Sequence, residues 1–172
     1  AEVASTVNEL LLANYMLKNS KNKDEKLAII NHILDLYKAT LYRQTMFAEF
    51  EKETHKLREK GEVLTSELLS NTYYNLVKKY FGPNVLCDDL IRYEWARIPH
   101  FYYNFYVYKY ATGISAASYI VDGILNNKEG ALENYINFLK TGGSMYPLDE
   151  LKIAGVNLNS KSVILSAIKT FE

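Results

Sequence analysis

Residues 100–125, HFYYNFYVYKYATGISAASYIVDGIL, decide the fold class. The aromatic run FYVYKY alternates in a way that a β-strand could use. The continuation ATGISAAS is a run of small residues that suits close helix packing, and the helical pattern then holds to Leu125. Read as one segment, His100–Leu125 is expected to be a long, mostly buried helix with a weak point at Gly113. Pro99 marks its boundary, because the residue before a proline avoids helical geometry. The expected class is all-α, a multi-helix array.

Outward from this segment, apolar positions recur at steps of three and four. Val3, Val7, Leu10, Leu11 and Leu17 give a first helix to about Lys18, and the polar 19–23 stretch is turn-like, with Asp24 able to begin the next helix. Leu27, Ile30, Leu34, Tyr37, Leu41, Met46 and Phe50 read as one long helix to about Leu57, ended by Gly61. Thr65-Ser66-Glu67 opens a third helix through Tyr80, closed by Phe81-Gly82-Pro83. Beyond a connector with Cys87, Asp88 and Asp89 comes Arg92–Arg97. On the C-terminal side, 128–140 reads as an amphipathic helix, 141–144 (TGGS) as a flexible loop, 147–154 as a short helix capped by Gly155, and 160–171 as the last helix. No internal repeat or low-complexity stretch interrupts this, and residues 1–172 are expected to form a single helical region.

The 172 residues suit one domain and can bury roughly 70% of their unfolded surface. Lys+Arg 20 against Asp+Glu 20, with no basic run, argues against a nucleic-acid partner or an anionic membrane surface, where clustered cations would release counterions. No stretch reaches the roughly 18 uninterrupted apolar residues of a membrane span. The single Cys87 excludes an internal disulfide and, with no signal-peptide pattern at the start, points to the cytoplasm. The chain opens inside a helical pattern at Ala1-Glu2-Val3 without an initiator Met or a capping residue, which suggests a cut boundary.

Three sets of residues could carry chemistry. Glu2 and Glu9 are seven apart and share a helix face among apolar neighbours; a carboxylate there is costly unless paired or metal-bound, and the plain alternative is a solvated edge. His100 precedes Tyr102, Tyr103, Tyr106, Tyr108 and Tyr110 in a chain with 15 Tyr. On a helix Tyr103, Tyr106 and Tyr110 would form one row while Tyr108 projects elsewhere. His and Tyr hydroxyls converging on a cavity would donate hydrogen bonds to a developing oxyanion, and the alternative is ring packing with hydroxyls at the edge. His32 sits in a helix beside Asn31 and Ile33, the run 51–60 (EKETHKLREK), which includes His55, reads as a solvated helix surface, and Cys87 as an inert thiol. No H-E-x-x-H, C-x-x-C or Gly-rich phosphate loop occurs.

Three stretches, AEVASTVNE at 1–9, RIPHFYYNFYVYKYATGISAA at 97–117 and TGGSMYPLDELKIAGVNL at 141–158, together resemble the C-terminal part of the oligoendopeptidase F group, in the zinc metallopeptidase family that includes thimet oligopeptidase. The resemblance covers essentially the whole chain. It implies a mostly helical peptidase acting on short peptides, with zinc held by the two His of an H-E-x-x-H helix and by a Glu on a following helix. That third ligand falls on Glu2, and Glu9 matches an acidic position that orients a ligand His. His100 matches the substrate-binding His, and Tyr108 is the best match for the Tyr that donates to the tetrahedral intermediate. The family's distant members carry a Gly-rich insertion between that His and Tyr which this chain lacks, so Tyr102, Tyr103 and Tyr106 are alternatives for substrate and transition-state contacts. The H-E-x-x-H segment would lie upstream of Ala1, as part of a missing N-terminal portion. Zinc is therefore expected only with that segment, the chain alone is expected to be inactive, and its exposed apolar faces are expected to drive self-association. The competing class is a non-catalytic helical module that binds a peptide or partner through a Tyr-rich groove.

Overall fold

The computed structural model describes residues 2–172, and these form helices and turns without a β-strand. Eight α-helices follow in order: α1 (Glu2–Asn19), α2 (Lys23–Tyr37), α3 (Arg43–Glu59), α4 (Ser66–Phe81), α5 (Tyr108–Leu125), α6 (Ala131–Thr141), α7 (Pro147–Ile153) and α8 (Lys161–Phe171). The all-α expectation holds.

Two departures from the expected helix layout matter. The long helix expected across 26–57 is divided by a π-helical turn at Lys38–Tyr42, which separates α2 from α3 while keeping the backbone helical. The helix expected from His100 does not begin there. Pro99–Tyr102 is a short 3₁₀ turn, 103–107 is irregular, and α5 starts only at Tyr108. Phe105 takes a positive φ of 54°, which ends helical geometry for an L-residue. From Tyr108, α5 runs unbroken through Gly113.

The packing groups the described residues into two compact units, 2–41 with 112–172 and 42–111. In the first unit, α1 contributes Val7 and Leu10, and α8 contributes Val163 and Ala167, to the buried set. The small-residue stretch of α5 lies inside, with Ser115, Ala116, Ala117 and Ser118 all nearly inaccessible. The buried Ser118 hydroxyl is satisfied: its Oγ donates to the Ile114 carbonyl at 2.7 Å and accepts from Tyr37 Oη on α2 at 2.6 Å. Tyr135 on α6 donates to the Ala4 carbonyl on α1 at 3.2 Å.

In the second unit, α3 and α4 pack around Met46, Phe47, Phe50, Tyr73, Leu76 and Val77, joined by Ile98 and Val107. Thr65 caps α4, its Oγ1 accepting from the Leu68 N–H, and Gly82 ends the helix at φ 75°. Glu49 on α3 ties to α4 through Lys79 Nζ at 2.6 Å and Tyr80 Oη at 2.9 Å. The 3₁₀ segment Asp89–Arg97 lies against α4 and leads into the Pro99 turn.

Burial holds the phenols of Tyr37, Tyr73, Tyr80 and Tyr135 above their ordinary pKa, and donation to Glu94 and Glu49 adds to the rise at Tyr73 and Tyr80. Tyr80 is pushed up to about 12. Between roughly pH 10 and these raised values the folded chain keeps protons that the unfolded chain releases. The contribution to stability is thus complete below about pH 10 and declines as pH rises further. An ultraviolet titration of the folded chain should show phenolate forming well above pH 10, and Tyr80→Phe should remove the component near 12. An unchanged late component in the variant would contradict the part-buried Tyr80–Glu49 contact.

Candidate functional site

His100 is placed by residues just before it in the chain. Glu94, whose side chain is only 8% exposed, accepts hydrogen bonds from Tyr73 Oη on α4 at 2.6 Å, from Arg97 Nη2 at 2.7 Å and from Arg43 Nη2 on α3. Next to it, Trp95 Nε1 donates to the buried Ser70 Oγ on α4 at 3.1 Å. These contacts pin the 3₁₀ segment to α3 and α4, and the Pro99 turn then delivers His100 at a fixed place.

Around His100 the structure gathers two phenol rings. Tyr106 and Tyr110 lie with centroids 5.6 and 5.8 Å from the imidazole and 5.8 Å from each other. His100 Nε2 is 3.1 Å from Tyr110 Oη. Tyr103 extends the group through Tyr106 at 6.2 Å, and Lys109 Nζ sits 4.5 Å over the Tyr106 ring. Tyr103, Tyr106 and Tyr110 thus form the row that helical spacing suggested, although an irregular loop builds the first two positions. Tyr102 is strongly exposed, and Tyr108 opens α5 half-exposed; the rings on His100 are those of Tyr106 and Tyr110.

Glu2 lies exposed in the first turn of α1, where a carboxylate is favoured by the helix dipole. Glu9, further along α1, places its Oε1 2.9 Å from His32 Nε2 on α2. His32 is exposed, and its pairing across 23 residues has no local signal in the sequence. Among the described residues no three of His, Cys, Asp or Glu stand together as a metal site. Glu2 fits zinc in donor chemistry, offering a carboxylate oxygen, but it is one donor of a set.

The reading of 51–60 as solvated surface fails at its first residue. Glu51 is 4% exposed because it continues the inward face of α3 beside Phe47 and Phe50, and its Oε1 accepts the Phe105 N–H at 2.6 Å. His55, one turn on, lies against the Phe105 ring with centroids 4.6 Å apart and planes tilted by 37°. The signal in sequence was only the spacing of Glu51 four after Phe47, which cannot say what compensates a buried charge.

With this geometry in place, comparison with known proteins fixes the family. Residues 1–170 match the sequence profile of Peptidase family M3. The chain belongs to that family. Oligopeptidase PepF of Bacillus subtilis is 53% identical over 172 residues, covering 100% of this chain and 26% of that protein. An oligoendopeptidase F homolog of Borreliella burgdorferi is 52% identical over 173 residues, covering 100% of this chain and 29% of the relative. The crystal structure of oligoendopeptidase-F from Enterococcus faecium superposes with a TM-score of 0.95 at 49% identity, over 99% of this chain and 33% of that one. The chain therefore spans between about a quarter and a third of these proteins' lengths. No helix among the described residues is long and apolar enough to cross a membrane.

Removing the Glu94 carboxylate leaves Tyr73 Oη buried without its acceptor and two arginines without their shared partner. Glu94→Ala should cost about 2 kcal/mol, reduced from the fully buried case because both arginines reach solvent. Glu94→Gln, which can still accept from Tyr73, should cost about half as much. Urea unfolding midpoints of the two variants measure this, and equal midpoints would mean the carboxylate is not the anchor.

Proposed function

We propose that this chain is part of a zinc metallo-endopeptidase that hydrolyses short peptides in the cytoplasm. The observation that carries the reading is the family match over 1–170, joined to near-complete superposition on an oligoendopeptidase-F structure. In this reading Glu2 supplies the third zinc ligand beside two histidines of an H-E-x-x-H segment elsewhere in the gene product. Zinc, when bound, polarises the scissile carbonyl and lowers the pKa of water.

The residues of this chain bind and orient. His100 donates from its ring to the peptide carbonyl oxygen as negative charge develops there. Tyr110 Oη, 3.1 Å from His100 Nε2, holds the ring in one orientation, and Tyr106 covers its face. Tyr108, half-exposed at the first turn of α5, is the phenol proposed to donate a second hydrogen bond, with Tyr103 and Tyr106 as the alternatives for that role. Tyr102 and Tyr103, both exposed, are suited to lie against the peptide backbone or side chains. Glu9 acts on a histidine: the same carboxylate that meets His32 could orient a ligand imidazole.

The chain taken alone lacks the general base and two of the three zinc donors. Peptide turnover sensitive to a chelator is expected from the full gene product and not from the 172-residue chain. In the full product, His100→Ala and Tyr108→Phe should each lower kcat by about 10²–10³-fold with KM little changed. Chelator-sensitive hydrolysis by the purified 172-residue chain would overturn this division of labour, and unaffected kcat in both variants would favour a binding module. The exposed side chains Leu12, Tyr15 and Met16 on α1 and Leu27, Ile30 and Leu34 on α2 support self-association of the isolated chain. Light scattering should report a dimer or larger species, and a clean monomer would count against it.

A further inference from the structure

Phe105 holds a conformation that its own chemistry disfavours. Its φ of 54° lies in the left-handed region, which a bulky L-residue rarely adopts. Two contacts from α3 hold it there. The Glu51 carboxylate takes the Phe105 N–H at 2.6 Å, a charge-assisted bond, and the His55 ring one turn on lies 4.6 Å from the Phe105 ring. Backbone and side chain are thereby gripped by one helix face.

Apolar packing alone gives no reason for Glu51. It sits at 4% exposure beside Phe47 and Phe50, where an apolar side chain of similar volume is commonly as good or better. What the carboxylate does that an apolar residue could not is accept a backbone N–H turned inward from an irregular loop. That loop carries Tyr103 on one side of Phe105 and Tyr106 on the other, and Tyr106 is the ring that lies 5.6 Å from His100. If Phe105 relaxed to negative φ, the peptide that leads into Tyr106 would rotate and the ring would leave the imidazole.

We propose that Glu51 is a positioning residue that clamps the 103–107 loop through Phe105, so that Tyr106 is held on His100. The kinetic part rests on the peptidase reading given above; the structural part does not. The test uses the full gene product carrying Glu51→Met, Glu51→Gln, or Glu51→Met with Phe105→Gly, since glycine takes positive φ without a clamp. The ring-proton NMR signal of His100 reports whether Tyr106 stays in place. It should shift or broaden in Glu51→Met, change less in Glu51→Gln, which keeps an oxygen acceptor, and return toward wild type in the double variant. On a peptide substrate, Glu51→Met should lower kcat by about 10²-fold with KM nearly constant, and Phe105→Gly should recover at least about tenfold of it.

An unchanged His100 signal in Glu51→Met overturns the clamp, whether or not the enzyme turns over peptides. A shifted signal with unchanged kcat overturns the kinetic role. Absence of turnover in the wild type refutes the peptidase reading instead, and the NMR arm then decides the clamp by itself. Should Glu51→Met fail to fold, Glu51→Gln and its pairing with Phe105→Gly carry the same comparison with smaller changes.

Discussion

The carboxylate of Glu94 is the contact on which the order of the second unit depends. It is nearly inaccessible, and a buried carboxylate is tolerated only when donors replace its lost water. Three do so, from α3, from α4 and from its own 3₁₀ segment. Bonds to an ionised acceptor are each worth about 1.5–3 kcal/mol, more than a neutral pair, and they are directional. The segment therefore has one position against α3 and α4. Trp95 repeats the tie on Ser70, and Pro99 allows little freedom before His100.

The two units reach order by different means. In the first, Ser115, Ala116, Ala117 and Ser118 on α5 let backbones approach, and the polar groups are satisfied within a turn or by one nearby phenol. In the second, the irregular stretch before α5 depends on side chains over fifty residues away: Glu51 reaches Phe105, and Arg43 reaches Glu94. Segments held by a few strong polar contacts rather than by broad apolar burial are where functional side chains are usually carried, because each contact can be tuned without rebuilding a core.

This difference also explains what the sequence made legible. Helices α1, α4, α6, α7 and α8 follow from apolar spacing and from caps such as Thr65 and Gly82, which act within four residues. His100 and the Tyr103–Tyr106–Tyr110 row could be picked out because the residue types are unusual and crowded. The backbone of 103–107 could not, since nothing in NFY announces a positive φ at Phe105; it exists because Glu51 offers an acceptor far along the chain. For the same reason Glu51 and His55 read as surface, inside a run of charges, and the Glu9–His32 pair had no local sign. The π-helical turn at Lys38–Tyr42 likewise leaves the apolar spacing almost intact.

The abundance of tyrosine has two physical sources. Tyr73 and Tyr80 pack as phenylalanine would, but each also supplies the hydroxyl that a neighbouring carboxylate needs, Glu94 in one case and Glu49 in the other. Tyr37 and Tyr135 do the same for a serine oxygen and a backbone carbonyl. Replacing any of them by Phe would keep the ring contacts and remove one hydrogen bond. Between Tyr102 and Tyr110 the balance reverses, because the rings at 102, 103 and 108 are at least half-exposed and those at 106 and 110 lie against an imidazole instead of a carboxylate. Packing and chemistry are thus not rival accounts of the tyrosines. They divide them by whether the ring packs inside its unit, as at 37, 73, 80 and 135, or lies beside His100 or at the surface, as from 102 to 110.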